Sequence, residues 1–302
     1  MSFTVSYYQS SKKYDPLLTI GYTLAGILAA IVLGIIYSFI SYISPIVVIN
    51  IALVGGMGFT LAYITNNLAK LAKVRNTIVH LCMAFFICLF AYYSSVCAFE
   101  INFMSLGPKS YIKLFFKPFT VCDLMFNGIL PIHKIIISKG ASTGYISGSM
   151  LKIIYLIELL AFFYPLLAAF KFNEYFCEDC RVWYRKFRFL SYSNENLESN
   201  ITSLVTNNYA GVLLQSTLYV NEKLLASEVD KSTKTIDVLE YQYCQCPQCK
   251  QNSIFSIEKK KLMRKNKKEF DLRDVKKGIL VKNVYIDDET NELLKQACDQ
   301  LK

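Results

Sequence analysis

Residues 17–43 read LLTIGYTLAGILAAIVLGIIYSFISYI and contain no charged side chain. A helix rises about 1.5 Å per residue, so this run is longer than the ~20 residues needed to cross the hydrocarbon core of a bilayer. Lys12 and Lys13 precede it, as in a secretory signal peptide. However, the run is too long for such a peptide and no cleavage-type ending follows it. We therefore predict a transmembrane helix.

Three further runs have the same apolar character. Two of them carry no charged residue, and the last has Lys152 at its start and Glu158 inside. Runs of this length predict membrane helices rather than buried helices of a soluble protein. The predicted all-α membrane domain covers residues 1–171, with transmembrane helices at 17–43, 46–69, 77–99 and 151–170.

The charged residues are distributed unevenly along the chain. Residues 1–170 hold 4 of the 23 acidic and 11 of the 33 basic side chains, so the net charge of +10 divides into +7 before this point and +3 after it. Because the basic excess lies in the apolar half, it favours contact with the anionic surface of a lipid bilayer over binding to nucleic acid.

Basic residues in the short connections predict the orientation. Lys12 and Lys13 precede the first span, and Lys70, Lys73 and Arg75 separate the second from the third. Positive loops remain on the cytoplasmic side, so four spans would leave both termini in the cytoplasm. Usage rich in Lys, Ile, Asn and Tyr suggests the bacterial inner membrane.

Residues 104–140 are too apolar for a plain loop. Lys113 and Lys117 lie one helical turn apart with three apolar residues between them, as in a helix that lies in the membrane interface. We predict interfacial or re-entrant pieces here. A fifth span at 118–137 is the alternative, but its internal charges and proline would make it costly.

Small residues recur at a spacing of four in the first two spans: Gly26, Ala30 and Gly34, then Ala52 and Gly56. Such stripes let helix backbones approach closely where lipid supplies no hydrophobic drive between helices. They predict close packing within the chain, or between copies in a homo-oligomer.

Glu158 is the only acidic residue predicted within a span. Intramembrane ionisable residues are functional candidates by default, so Glu158 suggests a proton or cation relay. A structural hydrogen bond to a Ser, Tyr or Asn of a neighbouring helix is the alternative.

Two Cys-x2-Cys pairs lie in the second half of the chain. Cys177 and Cys180 form the first, and Cys246 and Cys249 form the second. Two intervening residues let both sulfurs of one tight turn face a single ion, and two such pairs provide the four thiolates of a structural zinc site. Cys244 is left over on the predicted strand before the second pair.

The segments FCEDC (176–180) and CPQCK (246–250) resemble a zinc ribbon, and the resemblance covers residues 175–187 and 241–257. It implies a structural zinc ion on a small β scaffold and names no substrate. The chain departs from a compact ribbon because 65 residues separate Cys180 from Cys246, where roughly 15–20 are usual.

The sequence leaves three other interpretations of the cysteines open. Disulfides would need an oxidising compartment, which the predicted orientation disfavours. A redox-active Cys-x2-Cys would need a βαβ context that the flanking sequence does not suggest. An iron centre of rubredoxin type uses the same four thiolates, so the sequence does not exclude iron.

The remainder of residues 172–302 predicts a cytosolic α+β domain. A helical insertion is expected at 194–231, a strand at 278–286 and a terminal helix after it. The basic run at 258–277 suggests a strand extension or loop, an anionic lipid surface, or nucleic acid. Its basic residues include Lys259, Lys260, Lys261, Arg264, Lys265, Lys267 and Lys268.

Together these patterns predict a non-enzymatic membrane anchor and interaction module that binds a protein partner or further copies of itself. A small oligomeric transporter or channel using Glu158 is the alternative. An enzyme ranks last, because the sequence offers no Ser-His-Asp set, no HExxH motif and no paired carboxylates within the spans.

Overall fold

The computed structural model describes residues 6–44, 47–133, 135–139, 142–172, 174–204, 206–220, 225, 235–264 and 270–299. The chain divides into two compact units. The helical unit is Ser11–Asn173, and the cysteine unit joins the N-terminal segment up to Ser10 to Glu174–Lys302.

The described residues of the helical unit form four helices that are long and apolar enough to cross a membrane, the last of them formed by α6 and α7 together. This confirms the predicted membrane half of the fold. In chain order its elements are α1 (Pro16–Ile43), α2 (Val47–Leu71), α3 (Thr77–Phe103), α4 (Lys109–Phe115), α5 (Pro118–Asp123), a π-helical turn (Leu124–Ile129), β1 (Ile135–Lys139), β2 (Ser142–Ile146), α6 (Ser149–Phe162) and α7 (Tyr164–Phe170).

Helix α3 is the centre of this unit. Half of its most apolar stretch is buried, against 17% for α6 and α7. The predicted small-residue stripe of α1 packs on it: a Cβ at Gly34 would lie 2.4 Å from the carbonyl oxygen of Ala91, and one at Gly26 would lie 2.6 Å from Ile87 Cδ1. By contrast, Gly56 of α2 has open space around it. The α1 stripe therefore serves packing within the chain.

The chain enters and leaves the helical unit at the same end. The backbone N–H and Nε of Arg75, between α2 and α3, donate hydrogen bonds to the carbonyl oxygen of Lys13 at 3.0 and 3.3 Å. Lys70 Nζ lies 5.8 Å from the ring centroid of Phe172, just after α7. The lead-in to α1, the α2–α3 link and the exit from α7 thus lie together, as an even number of spans requires.

Within its described residues, the segment between α3 and α6 contains no fifth long helix. Residues 118–129 form one short α-helix followed by a π-helical turn, about 18 Å at 1.5 Å per residue, which is too short to span a bilayer of ~30 Å. An antiparallel hairpin of β1 and β2 follows, which the sequence did not predict. The third long helix also runs to Phe103 rather than ending at residue 99, so it includes Glu100.

The cysteine unit is built on a four-stranded antiparallel sheet beside a two-stranded one. This sheet-containing unit confirms the second half of the predicted fold. Its elements are β3 (Phe176–Cys177), β4 (Val182–Trp183), β5 (Arg185–Tyr192), α8 (Glu195–Ser203), α9 (Ala210–Leu214), β6 (Thr235–Gln245), β7 (Ile254–Arg264), β8 (Phe270–Tyr285) and α10 (Asp288–Asp299).

One face of the four-stranded sheet carries the main core of this unit. Alternate residues of a strand point to the same face, so Leu239, Tyr241 and Tyr243 of β6 all join the cluster that α8, α9 and α10 cover. The helical insertion predicted at 194–231 contains α8 and α9 as short helices. Its residues 205, 221–224 and 226–231 lie outside the described part of the chain.

The described residues of the basic run, 258–264 and 270–277, form the extended ends of β7 and β8, as the strand-extension interpretation proposed. Lys259 lies 2.7 Å from Glu198 and 3.3 Å from Asp237, and Lys260 lies 2.6 Å from Glu240. These two lysines are therefore neutralised within the unit. Lys265, Lys267 and Lys268 lie outside the described residues.

The N-terminal segment belongs to the cysteine unit. The N–H of Tyr8 donates to the carbonyl oxygen of Asn283 at 2.8 Å, and the N–H of Tyr285 donates to that of Ser6 at 3.0 Å. Tyr7 lies opposite Val284 of β8. The predicted membrane domain of residues 1–171 includes residues 6–10, which group with the cysteine unit because this segment pairs with a strand far along the chain.

Candidate metal centre

The four predicted cysteines come together. The Sγ atoms of Cys177, Cys180, Cys246 and Cys249 all lie within 4.8 Å of one another. The sulfurs of Cys177 and Cys249 are 3.9 Å apart. A tetrahedron with metal–sulfur bonds of about 2.3 Å has sulfur–sulfur edges of about 3.8 Å, so this arrangement fits a tetrathiolate metal site.

The cysteines are not paired by disulfides, since all ten in the chain are free. The 3.9 Å between the sulfurs of Cys177 and Cys249 is nearly twice the ~2.05 Å length of a disulfide bond. Four thiols in one cluster leave no open ligand position once they hold a tetrahedral ion. The donor set therefore suits an ion that stabilises the fold.

Each Cys-x2-Cys pair occupies the turn of a hairpin. In the first, Cys177 lies opposite Val182 in the pairing of β3 with β4. In the second, Cys244 lies opposite Ile254 where β6 pairs with β7, and the Cys246–Cys249 turn connects these strands. We call these two turns the first and second knuckles.

The pairing of β5 with β6 brings the two knuckles together, although 65 residues separate Cys180 from Cys246 in the sequence. Strand β5 begins two residues after β4, and its first residue, Arg185, lies opposite Gln245 at the end of β6. Gln245 directly precedes Cys246. The insertion between the knuckles therefore leaves from the far end of β5 and returns at the far end of β6.

The second knuckle already favours the thiolate form of its first cysteine. Burial alone would raise the pKa of Cys246, but hydrogen bonds from the backbone N–H groups of Cys249 and Gln248 outweigh it and lower the pKa to about 7. Burial raises the pKa of the Cys177 thiol. Because a metal binds thiolates, the lowered pKa prepares Cys246 better than Cys177 for binding one.

An aromatic shell encloses the sulfurs. Tyr175, Tyr184 and Ile254 are buried in the same cluster as the cysteines, and Tyr8 packs against it. The hydroxyl of Tyr184 donates to the carbonyl oxygen of Asn252 at 3.0 Å. These side chains cover Cys177 and Cys246, which are buried, whereas Cys180 and Cys249 stay partly exposed.

Cys244 is buried in the same hydrophobic cluster but is not one of the four cysteines whose sulfurs lie within 4.8 Å of one another. Burial raises the pKa of Cys244 to about 12, because it outweighs the opposite effect of the positive charge of Lys186. A protonated, buried thiol of this kind behaves as a small apolar side chain. That Cys244 is not a ligand stays a prediction.

In the helical unit, Glu158 of α6 accepts a hydrogen bond from the hydroxyl of Tyr37 in α1 at 2.9 Å. The ring of Tyr37 also contacts Phe162 edge-on, with centroids 5.1 Å apart. A tyrosine partner on a neighbouring helix was one of the two interpretations that the sequence left open.

Glu100 is a buried carboxylate that sequence reasoning missed. Its side chain is fully buried in α3, and neither carboxylate oxygen has a hydrogen-bond partner among the described residues. The sequence does contain an indication of it: mainly apolar residues follow Glu100 in EINF (100–103), so the third apolar run continues past its first charged residue.

Comparison of the chain with protein-family models, with curated proteins and with solved structures finds no significant match. The assignment of the site therefore rests on its own geometry.

Proposed function

We propose that this protein is an integral membrane protein whose cysteine unit is a zinc-ribbon-like domain with a structural zinc ion. In this proposal the unit is a non-enzymatic anchor and interaction module that presents a rigid surface to a protein partner or to another copy. The cluster of four sulfurs within 4.8 Å carries the proposal. A closed tetrathiolate shell contributes folding energy rather than a position for substrate.

Zinc is the proposed ion because its tetrahedral preference suits four thiolates and it has no redox chemistry. Iron of rubredoxin type would fit the same sulfurs. Visible absorbance separates the two, since a zinc tetrathiolate is colourless and an iron one is strongly coloured.

We further propose that both chain connections of the helical unit face the cytoplasm, in a bacterial inner membrane. The contacts of Arg75 with Lys13 and of Lys70 with Phe172 support an even number of spans and gather basic residues at one end. Positive residues favour the cytoplasmic side. Reporter fusions after Phe172 test this orientation, and external exposure of the reporter would contradict it.

Helices α4 and α5 are proposed to lie in the membrane interface. Helix α4 has no buried residue. Ile112, Phe116 and Phe119 are 65–90% exposed beside lysines. Exposed aromatic side chains next to long basic ones are typical of a segment at the headgroup level.

The central experiment is elemental analysis of the purified full-length protein, with about one zinc per chain expected. Cys246→Ser and Cys177→Ser should remove the zinc, whereas Cys244→Ser is the matched control that should retain it. Full zinc occupancy in both ligand variants would contradict the assignment, and strong visible absorbance would identify iron instead.

The interaction role needs a separate measurement. Cross-linking in the native membrane should recover a specific partner or a dimer with the wild type and with Cys244→Ser, and much less with Cys246→Ser. Recovery that is unaffected by loss of the metal would contradict a zinc-dependent interaction surface.

A small transporter or channel is the second candidate, favoured by the Tyr37–Glu158 hydrogen bond within the spans. Ion flux into liposomes tests it with Glu158→Gln, which keeps the size of the side chain and removes its charge. Flux that is lost in this variant would support transport. No flux with the wild type, or equal flux in both, would contradict a pathway through Glu158.

A further inference from the structure

The N-terminal strap, residues Ser6–Tyr8, reaches the first knuckle. It lies along the end of β8, held by the two backbone hydrogen bonds described above. The hydroxyl of Tyr8 then accepts a hydrogen bond at 3.1 Å from the N–H of Phe176, the residue directly before Cys177. A single side chain thus connects the strap to the backbone that presents the first sulfur.

Aromatic contacts hold Tyr8 in this position. Its ring lies edge-on to Tyr175 with centroids 5.1 Å apart, and edge-on to Tyr285 at 6.3 Å. Edge-to-face pairs at these distances contribute attraction beyond their buried area. Since Tyr175 and Tyr8 both belong to the cluster around the cysteines, the strap forms part of the wall of the site.

Asn283 fixes the place where the strap docks. Its carbonyl accepts from Tyr8, and its side-chain Oδ1 accepts from the hydroxyl of Tyr175 at 2.6 Å. Its own N–H donates to Ser256 Oγ at 2.9 Å. Asn283 has a left-handed backbone, with φ 53°, a conformation that asparagine adopts more readily than most residues. Asn283 therefore binds both the strap, through Tyr8, and the segment just before the first knuckle, through Tyr175.

The first knuckle has little other support from strand pairing. Strands β3 and β4 contain two residues each, with only the pairs Phe176–Trp183 and Cys177–Val182. A hairpin this short is marginal alone. One further backbone hydrogen bond, from the N–H of Tyr184 to the carbonyl oxygen of Tyr175 at 2.9 Å, extends the hairpin. The strap adds its own contact at Phe176, next to Cys177.

We propose that Tyr8 is a positioning residue of the metal centre, so that metal binding and docking of the N-terminal strap are thermodynamically coupled. This inference rests on the proposed metal site. If the docked strap favours the geometry that binds the ion, the bound ion favours the docked strap by the same factor. Residues 9–15 connect the strap to Pro16 at the start of α1.

The first test measures zinc affinity of the full-length protein by competition with a chromophoric chelator. Tyr8→Ala removes the ring and the hydroxyl, and we expect a loss of roughly tenfold or more, whereas Tyr8→Phe removes only the hydrogen bond and should lose roughly threefold. Tyr7→Ala is the matched control, because Tyr7 is adjacent and 58% exposed. Equal affinities in all three variants would overturn the proposal.

The second test measures the reverse direction by amide hydrogen exchange. Zinc removal by a chelator should speed exchange at Tyr8, Tyr285 and Phe176, the three amides that hold the strap. Exchange at the far end of β6 serves as the internal control. Unchanged protection of the strap amides after zinc removal would overturn the coupling.

These outcomes separate the coupling from the metal site itself. A wild-type protein without bound metal would refute the proposed function. A wild type that binds zinc, with a folded Tyr8→Phe variant of unchanged affinity and unchanged strap exchange, would refute only the coupling. Trp183 is the single tryptophan and contacts Phe176 edge-on at 5.0 Å, so its fluorescence reports whether each variant is folded there.

Discussion

Arg181 and Lys250 occupy equivalent positions in the two knuckles, each directly after the second cysteine, and both have left-handed backbones with φ 54° and φ 56°. Such values are uncommon outside glycine. At the second knuckle, this turn lets the N–H of Lys250 donate to the carbonyl oxygen of Cys246 at 3.2 Å. The same left-handed backbone conformation thus follows both cysteine pairs of the cluster, although the two knuckles lie in different hairpins.

The first prediction concerns Lys250. Lys250→Gly should stabilise the cysteine unit by up to about 1 kcal/mol, because glycine adopts positive φ without a steric cost. Lys250→Val should destabilise it by about 1–3 kcal/mol and weaken zinc binding, since a β-branched residue resists this conformation. Urea unfolding followed by Trp183 fluorescence measures both. Equal stability of the two variants would show that the backbone at Lys250 is not left-handed.

The second prediction concerns the close approach of α1 and α3. At Gly34 an added Cβ would lie 2.4 Å from the carbonyl oxygen of Ala91, a backbone atom that cannot move aside easily. Gly34→Ala should therefore lower the stability of the helical unit by about 1–3 kcal/mol. Gly56→Ala is the matched control, because nothing lies within 4 Å of its added Cβ.

Thermal unfolding in detergent compares these two glycine variants. A lower midpoint for Gly34→Ala alone is expected. Equal midpoints would contradict the packing of α1 on α3. A loss confined to Gly56→Ala would instead place a contact between copies on α2, in agreement with a homo-oligomer.

The third prediction concerns the basic run on β7. Lys260 has a side chain only 16% exposed and lies 2.6 Å from Glu240 and 3.1 Å from Asp274. Lys260→Met should destabilise the cysteine unit by about 1–3 kcal/mol, because Glu240 then keeps a buried charge with one partner fewer. Lys261→Met, at an exposed neighbouring position, should cost under about 0.5 kcal/mol.

Binding to vesicles of anionic lipid distinguishes the structural role of these lysines from a lipid-binding one. If Lys260 acts within the fold, its substitution changes the urea midpoint and leaves vesicle binding equal to that of Lys261→Met. A selective loss of vesicle binding in Lys260→Met, with unchanged stability, would contradict the ion-pair interpretation.

The sequence carried enough information to predict the long helices and the two pairs of cysteines that cluster, because both are local signals. Uncharged runs mark membrane helices, and the Cys-x2-Cys spacing brings two sulfurs together within one turn. The pairing of β5 with β6, which brings the knuckles together, joins segments about 50 residues apart. No local sequence pattern indicates a pairing of this range. For the same reason the strap at Tyr8, which pairs with β8, was assigned to the membrane domain.

Glu100 and the hairpin of β1 and β2 were missed for different reasons. A single charge ended the predicted third span one residue before Glu100, although the helix continues to Phe103. The hairpin joins an apolar strand, IIISK (135–139), to a small polar one, STGYI (142–146). Such short runs do not distinguish a strand from a helix segment by periodicity alone.

The last prediction concerns alkaline pH and Tyr241. This side chain is fully buried and stacks on Phe255 with ring centroids 5.8 Å apart. Burial, only partly offset by the hydrogen bond with Ser216, raises the pKa of Tyr241 from 10.0 to about 12. Between these values the unfolded chain ionises this tyrosine while the folded chain keeps it protonated. The contribution of Tyr241 to the free energy of unfolding is therefore fully present below pH 10 and decreases as the pH rises toward 12.

The expected slope is a loss of about 1.4 kcal/mol per pH unit for one such group. Tyr241→Phe should be less stable at neutral pH, where it lacks the hydrogen bond, and should lose stability less steeply above pH 10. Tyr7→Phe, at an exposed position, should keep the wild-type slope. Urea midpoints of the full-length protein, taken by Trp183 fluorescence between pH 8 and 11, measure this. Because other buried tyrosines remain, the slope should decrease by about one proton rather than vanish, and an unchanged slope would contradict the burial of Tyr241.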